Sequence, residues 1–348
     1  MVSIASSSPY ADNSAALLLL KGSAATTDTS TSTPQSTAAQ ILGSMTGTAA
    51  DPLSKAVGEI TRIILENGGQ LIIGGAFSHI EGTDGDDIIR AGPGSSVNGG
   101  AGNDYIEVSI ESSVNGGAGD DIIHGGGGKS LNGGAGNDYI EGGSRNTMNG
   151  GAGNDYIEGT SRNTMNGGAG DDAMLGIRKN TMNGGAGNDA MFGVHDNTID
   201  GGAGDDRIDV LGGGNLINGG EGNDYFYVNK GSNVVTGGLG DDTFVIGMRS
   251  TTHSGTGSTI NYAAGDGKDV ITLYNSDVTL SLGEGISAEN TKIEINGNKA
   301  FISFADNGND QITVDLSSNS SLTLAFADGS SQKLGWAAPV EAAAYSEH

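Results

Sequence analysis

The chain has no cysteine, so neither disulfide staples nor thiolate metal sites can hold it together. Aromatic residues make up 5% of its 348 residues, too few for a thick globular core. Basic residues are scarce: 16 Lys and Arg stand against 42 Asp and Glu, a formal charge of −26. Such a surface repels nucleic acid and attracts cations. No apolar run reaches the ~18 residues of a membrane span. The short run at residues 15–20 has no basic stretch before it, so a cleaved N-terminal secretory signal is not expected. His-Glu-x-x-His and Gly-x-Ser-x-Gly are both missing, which removes the common zinc-protease and serine-hydrolase arrangements. The five histidines are scattered.

Glycine is abundant, at 63 copies, without the every-third-residue period of collagen. It is concentrated in a tandem array over residues 81–245. One phrase, Asn98-Gly99-Gly100-Ala101-Gly102-Asn103-Asp104-Tyr105-Ile106-Glu107, recurs from Asn132 and from Asn149. Its closing aspartates are Asp87, Asp104, Asp121, Asp138, Asp155, Asp172, Asp189, Asp206, Asp224 and Asp242, at steps of seventeen residues and then eighteen. So strict a period makes each copy one turn of a stacked structure.

Each turn carries two apolar columns. One runs Ile89, Ile106, Ile123, Ile140, Ile157, Met174, Met191, Ile208, Phe226, Phe244; the other runs Val97, Val114, Leu131, Met148, Met165, Met182, Ile199, Ile217, Val235. Two inward columns on two short strands predict an all-β fold: a right-handed parallel β-roll (β-solenoid) of about ten turns, with strands ~4.7–4.9 Å apart.

Outside the array, residues 1–50 are rich in Ser, Thr and Ala and read as a disordered leader. Over residues 51–79, Pro52 suits a first helical position, and Leu53, Ala56, Val57, Ile60, Ile63 and Ile64 share one helical face before Asn67-Gly68. An amphipathic helix capping the array is expected there, with residues 71–73 opening the first turn. After the array, alternating stretches at 269–274, 278–282, 292–295, 300–304, 311–314 and 322–326 predict a β cap domain over 247–336. Residues 337–348 form an Ala-rich acidic tail.

The loop chemistry favours a hard cation. Glycine allows sharp turning that exposes carbonyl oxygens, and stacked loops bring their aspartates within ~5 Å of one another. The oxygen donors nominated beside the ten aspartates are Gly100, Gly102, Gly117, Gly119, Gly134, Gly136, Gly151, Gly153, Gly168, Gly170, Gly185, Gly187, Gly202, Gly204, Gly220, Gly222, Gly238 and Gly240. Calcium tolerates such irregular oxygen sets, whereas zinc would want His or Cys. Residues 81–245 hold 25 acidic and 8 basic residues, a net of −17; nine ions in the nine gaps between ten loops would nearly cancel it.

These residues resemble the RTX, or haemolysin-type, calcium-binding repeat, Gly-Gly-x-Gly-x-Asp-x-U-x, and residues 99–107 match it at every defined position. The stretch from Gly267 to Gly329 also resembles a domain that follows such repeats in haemolysin-type proteins. The resemblance implies a β-roll, calcium between successive loops, and export by a type I secretion apparatus that reads an uncleaved C-terminal signal, hence an extracellular location. In the family, calcium lies along both edges. Here the other half-turn reads Gly142-Gly143-Ser144-Arg145-Asn146 or Gly176-Ile177-Arg178-Lys179-Asn180, without a closing Asp, so a single row of about nine calcium ions is expected.

Three outward features remain. Thr147, Thr164, Thr181 and Thr198, with Asn149, Asn166 and Asn183, form a regular Thr-x-Asn face that resembles ice-binding surfaces and equally suits an exposed strand. Tyr105, Tyr139 and Tyr156 beside Glu107, Glu141 and Glu158 could stack on a carbohydrate. Arg145, Arg162 and Lys179 make a short basic line, read as solvated surface. With the array aspartates assigned to metal and residues 1–79 too plain for a catalytic domain, a non-enzymatic, structural or adhesive protein is expected.

Overall fold

In the computed structural model the described residues are 57–66, 68–248, 257–305, 308–316 and 319–335. They fall into two units, divided at Gly143 and Ser144, and no helix occurs among the described residues. The leader, residues 51–56 and the C-terminal tail with Trp336 lie outside them.

In the first unit the chain winds between two sheets. It opens with β1 (Ile60–Ile64), β2 (Gln70–Gly74) and β3 (His79–Thr83). β2 then pairs in parallel with Ile88–Ala91, followed in the same sheet by Tyr105–Val108, Ile122–Gly125 and Tyr139–Ser144. β3 leads the second sheet through Ser96–Ala101, Ser113–Ala118 and Ser130–Ala135. One turn therefore precedes the first repeat.

β1 corrects the expected helix. Residues 60–64 form a strand that pairs antiparallel with β2. The stiff β-branched Ile60, Thr61, Ile63 and Ile64 favour extended backbone, and only a strand can satisfy the open hydrogen-bonding edge that β2 presents. Ile63 and Leu65 pack beside Leu71, Ile73 and Ile88, so the capping role persists with a different element.

The second unit repeats the same winding. Thr147–Ala152, Thr164–Ala169, Thr181–Ala186, Thr198–Ala203, Leu216–Glu221 and Val234–Leu239 stack in parallel. Opposite them run Tyr156–Ser161, Ala173–Arg178, Ala190–His195, Arg207–Val210, Tyr225–Val228 and Thr243–Gly247. The residues expected to form a β cap continue this coil. Ser258–Tyr262, Asp277–Leu282 and Ser321–Ala325 extend one sheet, and Lys268–Tyr274 and Gln311–Leu316 the other. Antiparallel strands then close both edges: Lys299–Phe304 with Thr291–Asn296, and Ser331–Gly335.

Both apolar columns point inward as expected, and every member is at most 3% exposed. Phe226 and Phe244 stack face to face, centroids 4.8 Å apart. The remaining inward positions are mostly glycines and short polar side chains, with Val108, Val210, Val228 and Ile246 adding a third apolar side chain in some turns. Two or three apolar side chains per turn make a thin core, so the buried polar groups at the two edges weigh heavily in the fold's stability.

Candidate metal-binding edge

At one edge each closing aspartate turns inward and is almost fully buried; all ten are 1–3% exposed. Its Oδ1 accepts the backbone N–H of the aspartate one turn earlier. Asp87 donates to Asp104, Asp104 to Asp121 and Asp121 to Asp138, each at 2.8 Å. In the second unit the ladder runs from Asp155 to Asp242 at 2.7–2.8 Å. The other oxygen, Oδ2, has no hydrogen-bond partner in Asp104, Asp121, Asp172, Asp189, Asp206, Asp224 and Asp242. A buried carboxylate oxygen left unsatisfied is costly.

The cost appears as raised pKa values. Burial pushes the Asp104 carboxyl up to about 8, Asp121 and Asp189 to about 7, and Asp138, Asp206, Asp224 and Asp242 to about 6. The N–H bond to Oδ1 pulls each down, and neighbouring carboxylates push most of them further up. Asp172 is raised for the same reason. In the first copy the backbone N–H of Gln70 donates to Asp87 Oδ1, and Thr83 donates its backbone N–H at 2.6 Å and its hydroxyl to the same carboxylate.

The glycines explain what faces the free oxygen. All eighteen nominated glycines have φ between 98° and 139°, backbone that L side chains rarely adopt. At Gly117 and Gly119 a Cβ would also overlap the carbonyl oxygens of Gly100 and Gly102 from the preceding loop, so the loops stack carbonyl against backbone. The first glycine of each phrase, absent from the sequence-derived set, is equally constrained. A Cβ on Gly184 would collide with both Asp189 Oδ2 and the carbonyl oxygen of Gly201 one turn on. The same pair of oxygens converges at Gly99, Gly116, Gly150, Gly167, Gly201 and Gly219. Every such gap therefore holds a carboxylate oxygen and a carbonyl oxygen side by side, inside the coil.

Two further features were missed. The residue before each closing aspartate builds an outer, exposed ladder running the opposite way: Asp120 donates its backbone N–H to Asn103, and Asn137 to Asp120, at 2.9 and 2.7 Å. An eleventh loop exists at Gly265-Asp266-Gly267-Lys268-Asp269, where Asp242 donates to Asp269 at 3.1 Å. Its carboxyl is 3% exposed and raised to about 8, chiefly by burial. The Gly-x-Gly-x-Asp signal is present, but a 27-residue step hides it from a search at period seventeen.

The opposite edge has the same ladder without the charge. Asn146 donates its backbone N–H to Asn163 Oδ1, and the chain continues through Asn180, Asn197, Asn215 and Asn233 at 2.8–3.0 Å. Here the second side-chain atom is an amide nitrogen, and it donates. Asn197 Nδ2 reaches Asn215 Oδ1 at 3.2 Å and the Gly176 carbonyl at 3.3 Å. In the first unit, serines do this work: Ser78 donates to Ser95 and Ser95 to Ser112, at 3.1 Å.

The outward faces keep their registers. Thr147, Thr164, Thr181 and Thr198 align on successive strands, as do Asn149, Asn166 and Asn183, and Asn166 donates to Asn149 at 2.7 Å. Tyr105 and Tyr139 both pack on His124, at 5.6 and 5.7 Å between ring centroids. Tyr156 lies in the second unit, 3.4 Å from Glu158.

No three acidic or histidine side chains converge among the described residues, so any ion here would draw most of its ligands from backbone carbonyls. The donors are all hard oxygen, and an orphaned carboxylate oxygen beside a carbonyl in a cradle with no Cβ fits calcium.

Fold and site together define a parallel β-solenoid whose stacked loops carry one oxygen-lined edge. The array belongs to the RTX calcium-binding nonapeptide repeats: the family model, which describes four copies, matches residues 73–106, 112–129, 130–157, 159–176, 178–193, 195–217 and 211–244. No curated protein matches the chain.

Proposed function

We propose that this is a secreted, non-enzymatic protein whose β-roll folds when calcium binds outside the cell. The carrying observation is the contrast between its two edges. The aspartate edge holds buried carboxylate oxygens with no partner, and the asparagine edge satisfies itself. A divalent ion in each gap would be held by the closing Asp and by glycine carbonyls, including that of the first glycine, and would supply the charge that the free oxygens lack.

The four loops of the first unit enclose three gaps, and the seven of the second, with Asp269, enclose six. Those gaps within the two units support about nine ions in a single row. Calcium binding the folded array in preference to the loose chain makes binding free energy into folding free energy. Low cytosolic calcium would leave the array loose enough for a type I apparatus, and external calcium would fold it. The outward faces fit a structural or adhesive role.

Calorimetric titration of the full chain should give about nine ions, and circular dichroism should show the β-spectrum collapsing in chelator. A stoichiometry near eighteen would overturn the single row. An unchanged spectrum in chelator would sink calcium-driven folding.

A further inference from the structure

Along the neutral edge of the second unit, three successive corners carry Arg145, Arg162 and Lys179, all exposed. Their φ angles are 64°, 56° and 56°, in the left-handed region that an L residue enters at a cost. One turn beyond Lys179 the same corner is Asp196, at φ 56°, which pairs with Arg178, and the next is Gly214, at φ 81°. Glycine therefore fits the corner, yet three cations are kept there. They are kept despite the backbone strain and despite mutual repulsion at a strand spacing of ~4.8 Å. None of the three has an ion-pair partner among the described residues, while neighbouring Arg178 is paired with Asp196 at 3.3 Å. The backbone N–H of each donates to the following turn at 3.1 Å, a bond that glycine would make equally, so three cations in a row on this backbone point to a ligand.

Two residues after each cation stands an exposed threonine. Thr147, Thr164 and Thr181 align in parallel register on the outer face of their sheet. Each turn therefore presents a cation and then a hydroxyl, and the next turn presents the same pair one strand spacing away.

We propose that this strip binds an extended acidic polysaccharide, with successive anionic groups on successive cations and sugar hydroxyls on the threonines. The carboxylate and the sulfate ester share the needed chemistry. A second copy of the chain fits less well. Its exposed outer ladder places Asp171, Asp205 and Asp241 on alternate turns, with Asn188 and Asn223 between them. Such an edge offers one carboxylate for every two cations, whereas a regularly charged polymer can meet each one. Because the chain is strongly acidic overall, the attraction is local, and calcium at the opposite edge lessens the long-range repulsion.

The test uses the full chain with saturating calcium and three immobilised probes: carboxymethyl-dextran, dextran sulfate and unmodified dextran. Binding to one or both charged polymers, weakening with salt, and none to plain dextran, is expected; which of the two binds identifies the anion. The triple variant Arg145→Gly, Arg162→Gly, Lys179→Gly should lose roughly tenfold or more in affinity, about 1.4 kcal/mol. Its melting temperature should be unchanged or higher, because glycine suits these φ angles. The milder Thr164→Val should weaken binding in part. Undiminished binding by the triple variant, equal binding to plain dextran, or no binding by the wild type overturns the proposal. So does sedimentation in which the wild type self-associates through the strip without binding either charged polymer.

Discussion

The backbone N–H of Asp172 donates to Oδ1 of Asp189 at 2.7 Å, one turn further along the coil. Across the same turns Asn180 makes the equivalent bond to Asn197 at 2.9 Å. The two bonds differ only in what the second side-chain atom can do. In asparagine it is a donor and finds an acceptor; in aspartate it is a second acceptor in a place already full of acceptors. One atom type thus separates an edge complete in itself from an edge that calls for a cation.

Replacing Asp189 with Asn should move one rung from the first kind to the second. Without calcium, Asp189→Asn relieves a buried unpaired carboxylate and should stabilise the coil by about 1–3 kcal/mol. With calcium it should lower the stoichiometry by one or two ions, since Asp189 borders two gaps, and lower the melting temperature. Paired calorimetry and thermal melts read both signs. A variant with unchanged stoichiometry contradicts the assignment.

Removing the amide at the other edge should act differently. Asn180→Ala takes the acceptor from the buried N–H of Asn163, which should cost about 1–3 kcal/mol. Calcium stoichiometry should not change. Denaturant unfolding beside a calcium titration separates these effects.

The first glycine of a loop should be as sensitive as the aspartate. In Gly184→Ala the new methyl group would meet Asp189 Oδ2 and the Gly201 carbonyl oxygen, neither of which can retreat from a packed interior. Overpacking of this kind costs ~1–3 kcal/mol, and the gap should also lose its ion. A variant that keeps full calcium binding would show that this cradle holds nothing.

Without calcium, stability should fall as pH rises. The ladder carboxyls titrate at about 6 to 8 when folded, against ~3.9 for an unfolded Asp. Between these values the folded chain holds protons that the unfolded chain has released, so raising pH favours unfolding. In chelator the β-spectrum should be recovered as the pH falls towards 4 and lost again as it rises through 8. In excess calcium the trend should reverse, because the ion competes with protons for the same oxygens. A flat profile in chelator would contradict burial of these groups.

Much of this was written in the chain. A period of seventeen with one Asp per copy required stacked turns, and the two apolar columns identified the inward faces because side chains alternate along a strand. The invariant glycines announced their backbone: all eighteen lie at the positive φ that only glycine enters freely. The strands after the array were legible to within one or two residues, except Ser258–Tyr262 and Ser331–Gly335.

The tertiary structure decided what depends on neighbours one turn away. Helical spacing at residues 60–64 lost to the unpaired edge of β2, because an open row of backbone groups outweighs a local pattern. Asp269 joined the ladder although the period had broken, since the coil registers by hydrogen bonds rather than by counting residues. The destination of each aspartate oxygen was beyond any reading of one copy, because Oδ1 is satisfied by the preceding turn and Oδ2 faces a carbonyl of the next. Sequence placed an acid in every loop; stacking made seven of those acids demonstrably short of a partner and left the asparagines opposite with theirs.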